Sequence, residues 1–244
     1  MPRWNKTSIA ACLTIQALLP ASLAAQPNEP SASKCYGSPA SGALEGAVRL
    51  PDEGDNFEVY RWREGKARLY VHSDVAVILK TAFEQFHRSA PDVRFVVGET
   101  GFQGGGPLPG HVTHQNGTSV DLFVPVRELP ANDLVLFPND FRNGYGYKVR
   151  FDQFGASTDG RFQVDFEILG EYIYQLKVAA SNVGRGIDRV VLTRDFQLRL
   201  GETKRWTDIR WVRYFDDPND RHDNHVHVDF DIPCRFMWER RSSK

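Results

Sequence analysis

Hydrophobic residues between positions 73 and 87 fall on a helical period. Val75, Ile78, Leu79, Ala82, Phe83 and Phe86 recur at i, i+3, i+4 and i+7 and form one inward stripe, with Ser73 placed to cap the start. The period then shortens to two over Asp92–Val97, where Val93, Phe95 and Val97 share one face of a strand. A second helix is predicted over Ile168–Val183, with Leu169, Tyr172, Ile173, Leu176, Ala180 and Val183 inward and Gly184 as its cap. Shorter alternating runs predict strands at Gly46–Leu50, Phe57–Trp62 and Asp188–Thr193, and a buried strand spans Val120–Val126 with Asp121 at its opening. Tyr147–Phe154 and Arg161–Phe166 flank Gly155–Gly160 in the manner of a hairpin, and Arg127–Gly146 reads as irregular. Strands outnumber helices. The predicted class is α+β, a small central antiparallel sheet flanked by helices.

Other stretches lack this periodicity. Residues 26–41 read as a flexible leader, on the strength of the Pro, Ser and Ala of Gln26–Lys34. Arg3 and Lys6 precede an apolar run, Ile9–Leu23, that ends in small residues, and residues 1–25 read as a cleaved export signal. Gln16 and Pro20 interrupt that run, which is shorter than the roughly 20 residues a membrane span needs. Residues 42–244 then form a single domain, and no membrane span remains after cleavage. Cys12 leaves with the signal, so Cys35 and Cys234 remain. In an oxidising compartment such a pair points to a disulfide, with two unpaired thiols as the alternative. The formal net charge of −1 gives no polyanion-binding bias, which argues against a nucleic-acid partner.

The chemistry concentrates in two windows. Five of the seven histidines lie in Gly110–Asp121 or Arg221–Asp229. Strand alternation over His225–Phe230 puts His225, His227 and Asp229 on one face and Val226, Val228 and Phe230 on the other. Imidazole and carboxylate suit Zn²⁺, and His114 with Asp121 reaches the same ion if the fold joins the windows. The loop Gly98–Gly110, with six glycines, matches no phosphate-binding pattern, and its place before His111 makes it a cleft wall. An ordinary flexible loop is the competing reading. No His-Glu-x-x-His and no Gly-x-Ser-x-Gly occurs, so zincin and serine-hydrolase chemistry find no support. Trp206, Trp211, Tyr214 and Phe215 are candidates for a cleft wall or for the core.

His114-x6-Asp121 with His225-x-His227 resembles the signature of the metallopeptidases named after lysostaphin, D-Ala-D-Ala peptidases and sonic hedgehog. The fuller pattern, His111-x2-His114-Gln115-x-Gly117-x3-Asp121 with His222-x2-His225-x-His227, resembles the penicillin-insensitive murein endopeptidase family. The resemblance implies that His114, Asp121 and His227 bind Zn²⁺ in a cleft on one sheet face. It implies that His225 is the catalytic histidine beside them and that His111 and His222 line the site. The activity implied is a periplasmic D,D-endopeptidase acting on peptidoglycan stem peptides. Relatives that are D-Ala-D-Ala dipeptidases carry a catalytic Glu three residues before the last ligand; Asn224 stands there in this chain, which favours the endopeptidase branch. A D,D- or L,D-carboxypeptidase of the same zinc family and a non-catalytic zinc or cell-wall-binding module are the alternatives.

Overall fold

In a computed structural model of the chain, residues 32–62, 67–218 and 221–241 are described. The export-signal reading of residues 1–25 lies outside them, as do residues 26–31 of the predicted leader. Strand β1 (Lys34–Ser38) and β2 (Ser41–Glu45) form an antiparallel hairpin, so the leader ends before residue 41. Four short strands follow: β3 (Val48–Arg49), β4 (Glu53–Gly54), β5 (Phe57–Val59) and β6 (Tyr70–Val71). Helix α1 (Ser73–Ser89) buries the six residues its periodicity selects. Its cap is His72, not Ser73: the His72 Nδ1 accepts from the backbone N–H of Asp74 at 3.1 Å.

Strand β7 (Phe95–Val97) leads through the glycine-rich loop to β8 (Ser119–Phe123). Asp121 is therefore the middle residue of its strand, not the first. Pro125 lacks the N–H that a continuing ladder needs, and the run expected to reach Val126 breaks there. Strand β9 (Val126–Glu128) pairs instead with β10 (Asp133–Val135) and β11 (Phe162–Val164) in a separate three-stranded sheet. Two corrections follow. The segment 127–146 holds strands and a 3₁₀ turn at Phe141–Gly146, and Tyr147–Phe154 does not form a hairpin with Arg161–Phe166. Isolated bridges, Phe151 to Ser157 and Ala156 to Gln163, and turn hydrogen bonds such as Thr158 N–H to the Arg150 carbonyl at 2.9 Å hold that region together instead.

Helix α2 (Phe166–Asn182) is capped by Asp165, whose carboxylate accepts from the Ile168 N–H at 3.0 Å. Gly184, at φ +69°, ends it, and the N–H of Arg185 reaches back to the carbonyl of Ala180 at 2.9 Å. Val183 faces outward, against the inward position its spacing suggested, and Ala179 takes an inward place. Strand β12 (Gly186–Val191), α3 (Arg194–Leu200), α4 (Trp206–Ile209), β13 (Tyr214–Phe215), β14 (His225–Asp231) and α5 (Met237–Arg241) complete the order.

The principal sheet has seven strands in the order β13-β12-β14-β8-β7-β5-β4. It is mixed, not antiparallel: β12 runs parallel to β13, and β5 parallel to β7. Residues that pair across neighbouring strands point to the same side. Val97 faces Leu122, Leu122 faces Val226, and Val120 faces Val228, so these form one face with Phe95. Helices α1 and α2 cover that face. Tyr172 stacks on Phe95 with centroids 4.0 Å apart, and Phe86 meets Phe95 edge-on at 4.9 Å. Burying large side chains such as Phe95, Phe86 and Tyr172 contributes roughly 1.5–3 kcal/mol each. The opposite face carries Asp121, His225, His227 and Asp229.

A disulfide joins Cys35 to Cys234 across 199 residues and ties the β1–β2 hairpin to the segment after β14. The Pro39 carbonyl accepts from the Gln115 N–H at 3.0 Å, and the Leu44 N–H donates to the Gly104 carbonyl at 3.1 Å. The hairpin thus buttresses both the glycine-rich loop and the turn that carries His114.

Candidate metal centre

Ladder register creates the site. His227 of β14 lies directly opposite Asp121 of β8, and Asp229 lies opposite Ser119. The Asp121 Oδ1 consequently sits 3.0 Å from the His227 Nδ1. The third group comes from the loop before β8. His114 adopts φ +67°, a left-handed conformation that β-carbon crowding disfavours and that functional sites often retain. The turn brings the His114 Nε2 to 3.1 Å from the same Asp121 Oδ1, and the His114 Nδ1 is 3.1 Å from the Thr100 carbonyl. A proton on Nδ1 satisfies that carbonyl and leaves Nε2 as a lone-pair donor.

Each partner of this trio is oriented from behind. Asp229 holds the His227 Nε2 at 3.0 Å, and is itself fixed by Ser119 Oγ and Arg189 Nε, each at 2.5 Å. The Tyr147 hydroxyl donates to the Asp121 Oδ2 at 3.1 Å and accepts from the Glu99 N–H at 3.0 Å. Gly98 makes room for it: a Cβ there would come within 2.6 Å of that hydroxyl. Asp121 thereby has one oxygen committed to Tyr147 and the other turned to the imidazoles.

The remaining histidines surround this centre. The His225 Nε2 is 3.8 Å from the Asp121 Oδ2, and its Nδ1 meets the Asn224 Oδ1 at 2.6 Å. Asn224 Nδ2 donates to the carbonyls of Tyr147 and Val149 at 3.1 and 2.9 Å. That pins the amide with its oxygen toward His225, places the proton on His225 Nδ1, and leaves Nε2 an acceptor. His111 pairs through Nε2 with Glu99, and its Nδ1 lies 3.8 Å from the Asp121 Oδ2. Glu99 also accepts from Arg68 Nη1 at 2.7 Å and from the Tyr60 hydroxyl at 3.3 Å. The His222 ring lies 4.6 Å from that of His225.

Burial and charge set the protonation states. Burial pushes the His225 imidazole down to about 3, so it is neutral at physiological pH. Burial also lowers His114. His227 goes the other way: burial opposes its charge, but Asp229 and Asp121 raise it to about 9. For His111, burial lowers the pKa and the Glu99 and Asp121 carboxylates more than compensate, giving a net rise. Burial alone would raise Asp121, yet His114, His225 and His227 hold it well below the usual carboxylate range. Burial, with Asp121 and Glu99, raises Tyr147 far above an ordinary phenol and keeps its proton in place.

This donor set fits a divalent cation. The His114 Nε2 is fully enclosed and makes no hydrogen bond, despite its closeness to Asp121, and an enclosed nitrogen of this kind is costly unless something else fills its lone pair. Two imidazole nitrogens converging on one carboxylate oxygen provide the three N/O donors that a catalytic zinc site draws from protein. Among the described residues, His111, His114 and Asp121 also bring ligand atoms within 4.8 Å of one another, so His111 is a further candidate donor.

Two cavities meet at this centre. One, of about 510 Å³, is lined by Trp62, Arg68, Glu99, Tyr145, Arg150 and His225. The other, of about 640 Å³, is lined by Thr113, Arg189, Phe215, Asp216, His222 and His227. Gly110 and His111 border both. The glycine-rich loop therefore does wall the cleft, through its last residues. Of the aromatic candidates, Phe215 lines it, Trp206 packs on Tyr214, and Trp211 projects into solvent.

Reasoning from sequence brought together His111, His114, Asp121, His222, His225 and His227, and the fold places all six in this one region. It missed Tyr147 and Glu99. Tyr147 falls in an alternating run that predicts a strand, and nothing in its neighbourhood announces a contact with residue 121. Glu99 offered one weak signal, an acid directly after a buried apolar strand.

Residues 35–236 match the family model described as penicillin-insensitive murein endopeptidase. Proteins bearing that same description in Salmonella arizonae, Salmonella paratyphi B and Salmonella newport are 28% identical over 240 residues, covering 94% of this chain and 79% of each relative.

Proposed function

The chain belongs to the penicillin-insensitive murein endopeptidase family, and from that premise we propose that it is a periplasmic zinc D,D-endopeptidase that hydrolyses peptide cross-links in peptidoglycan. The observation that carries the reading is the convergence of His114 and His227 on one oxygen of Asp121, with the buried His114 Nε2 otherwise unbonded. His114 Nε2, Asp121 Oδ1 and His227 Nδ1 are the proposed ligands. When bound, Zn²⁺ supplies polarisation of an amide carbonyl and a lowered pKa for the attacking water.

The chain's own groups do the rest. His225, neutral and with its Nδ1 proton committed to Asn224, accepts a proton at Nε2 and passes it to the departing amine nitrogen. Tyr147 fixes the plane of Asp121, and Asp229 fixes the tautomer of His227. His111, tied to Glu99, and His222 line the entrance. A chain that is cut internally needs room on both sides of the scissile bond. The two cavities flanking the centre supply it, which supports an endopeptidase over a carboxypeptidase.

Residues 1–25 act as the export signal in this reading, and the metallopeptidase domain expected over residues 42–244 also takes in strand β1 and Cys35. The Cys35–Cys234 bond supports an oxidising compartment. Among the described residues no helix is long and apolar enough to cross a membrane. The test is muropeptide analysis of cross-linked sacculi incubated with the purified protein. Dimers should be converted to monomers, a chelator should abolish the conversion, added Zn²⁺ should restore it, and β-lactams should leave it unchanged. Intact protein carrying no stoichiometric divalent ion would end the proposal.

A further inference from the structure

The cavity beside His225 contains a charge arrangement that the proposed chemistry does not use. Asp223 is fully buried and is shared by two guanidinium groups. Arg150 Nη1 lies 3.2 Å from its Oδ1, and Arg221 Nε lies 3.1 Å from its Oδ2. The Phe151 N–H donates to the same Oδ2 at 3.3 Å. One carboxylate thus balances two cations, and both stay accessible, with side chains 45% and 54% exposed. Arg150 is the one that lines the cavity. Its Nη1 is spent on Asp223 and on the Arg221 carbonyl at 3.4 Å, and the half-exposed guanidinium lines the cavity.

Its place relative to the centre is fixed by the backbone. Asn224, which orients His225, donates to the carbonyl of Val149, the residue before Arg150. The opposite cavity has the reverse character. Asp216 and Asp217 line it, and among its described lining residues the guanidinium, Arg189, is bound to Asp229. The His225 side thus carries surplus positive charge, two guanidinium groups against one carboxylate.

The geometry points to Arg150 as a specificity residue that binds a carboxylate of the peptide segment lying in the cavity beside His225, held in place by Asp223 and Arg221. This rests on the endopeptidase reading and sets the direction in which the cross-linked peptide lies across the centre. A guanidinium with free N–H groups is matched to a carboxylate, and a planar fork distinguishes it from an amide by charge and by donor pattern.

The experiment compares two synthetic cross-linked dimers that differ only in amidation of the carboxylate next to the scissile bond, using the zinc-loaded wild type, Arg150→Gln and Arg150→Lys. Arg150→Gln should raise KM for the free-carboxylate dimer about tenfold, with kcat and zinc content nearly unchanged. The amidated dimer should be cleaved equally by wild type and Arg150→Gln, and Arg150→Lys should recover part of the loss. Equal losses on both dimers, or a fall in kcat instead of a rise in KM, would make Arg150 a structural residue and overturn the inference; so would no change on either. If the wild type cleaves neither dimer, the endopeptidase reading fails separately. Calorimetric binding of the same two dimers then decides for Arg150: wild-type preference for the carboxylate, lost in Arg150→Gln, upholds the inference, and absence of preference overturns it.

Discussion

Asp229 meets His227 across 3.0 Å, its Oδ1 facing the imidazole Nε2, while the other imidazole nitrogen faces Asp121 at the same distance. The outer carboxylate keeps a proton on Nε2, so that Nδ1 is the nitrogen available to a cation. Replacing Asp229 with Asn removes the charge and keeps the shape. Metal affinity in Asp229→Asn should fall about 10–100-fold, measured by competition with a chromogenic chelator.

The ligand set is separable from its surroundings by substitution. His227→Ala and His114→Ala should each lose stoichiometric zinc in metal analysis of the purified protein. His111→Ala should keep it, because Glu99 already holds the His111 Nε2 and its other nitrogen stands 3.8 Å from Asp121. Zinc lost from His111→Ala and kept in His227→Ala would exchange their roles.

His225 should behave as a catalyst and not as a ligand. His225→Ala is expected to retain zinc and lose about 10²–10⁴-fold in kcat on cross-linked muropeptides. Asn224→Leu cannot accept the Nδ1 proton of His225 and should lose activity in the same direction at unchanged zinc content.

The cation-free protein should have a stability maximum to which His225, with His114, gives the acidic flank and His227, with His111, the alkaline one. His227 has its folded pKa raised to about 9, above the unfolded value of about 6.5, so its contribution is complete below that value and disappears as pH rises through 9. His225 is depressed to about 3, so its neutral buried form is favoured above pH 6.5, and the fold loses stability as pH falls from there toward 3. Denaturant midpoints of chelator-treated protein across this range should show both flanks. His225→Ala should flatten the acidic flank, and Asp229→Asn the alkaline one.

Removal of the Cys35–Cys234 link, as Cys35→Ser with Cys234→Ser, should cost about 2–5 kcal/mol in chemical denaturation. The effect should extend to the centre. The tied hairpin supports the turn bearing His114 through the Pro39 carbonyl, and Asn116, two residues on, donates to Cys234 Sγ at 3.4 Å. Zinc should therefore dissociate faster from the double variant than from the wild type.

Much of this was readable in the chain because local pattern and local structure agree. The six inward residues of α1 follow directly from spacing, and the alternation of His225, His227 and Asp229 against Val226, Val228 and Phe230 fixes two faces of β14. What the pattern lacks is register. Nothing near Asp121 says that it sits opposite His227, and nothing near Gly186–Val191 says that the strand runs antiparallel to β14 and parallel to β13. The hairpin expected around Gly155–Gly160 failed for the same reason: Phe162–Val164 found a better partner in Val126–Glu128. Tyr147 opens a run that alternates like a strand and Glu99 stands just past one, so neither local pattern points to the centre, and three-dimensional packing is what brings their contacts to Asp121 and His111.

The pairing of Asp121 with His227 joins residues 106 apart, and β14, late in the sequence, lies between β12 and β8. Until that last strand is inserted, no two of the proposed ligands from opposite windows are neighbours. On the proposed ligand assignment, hydrolytic capacity should arrive together with the completed ladder, and a chain stopped short of β14 should have none to release.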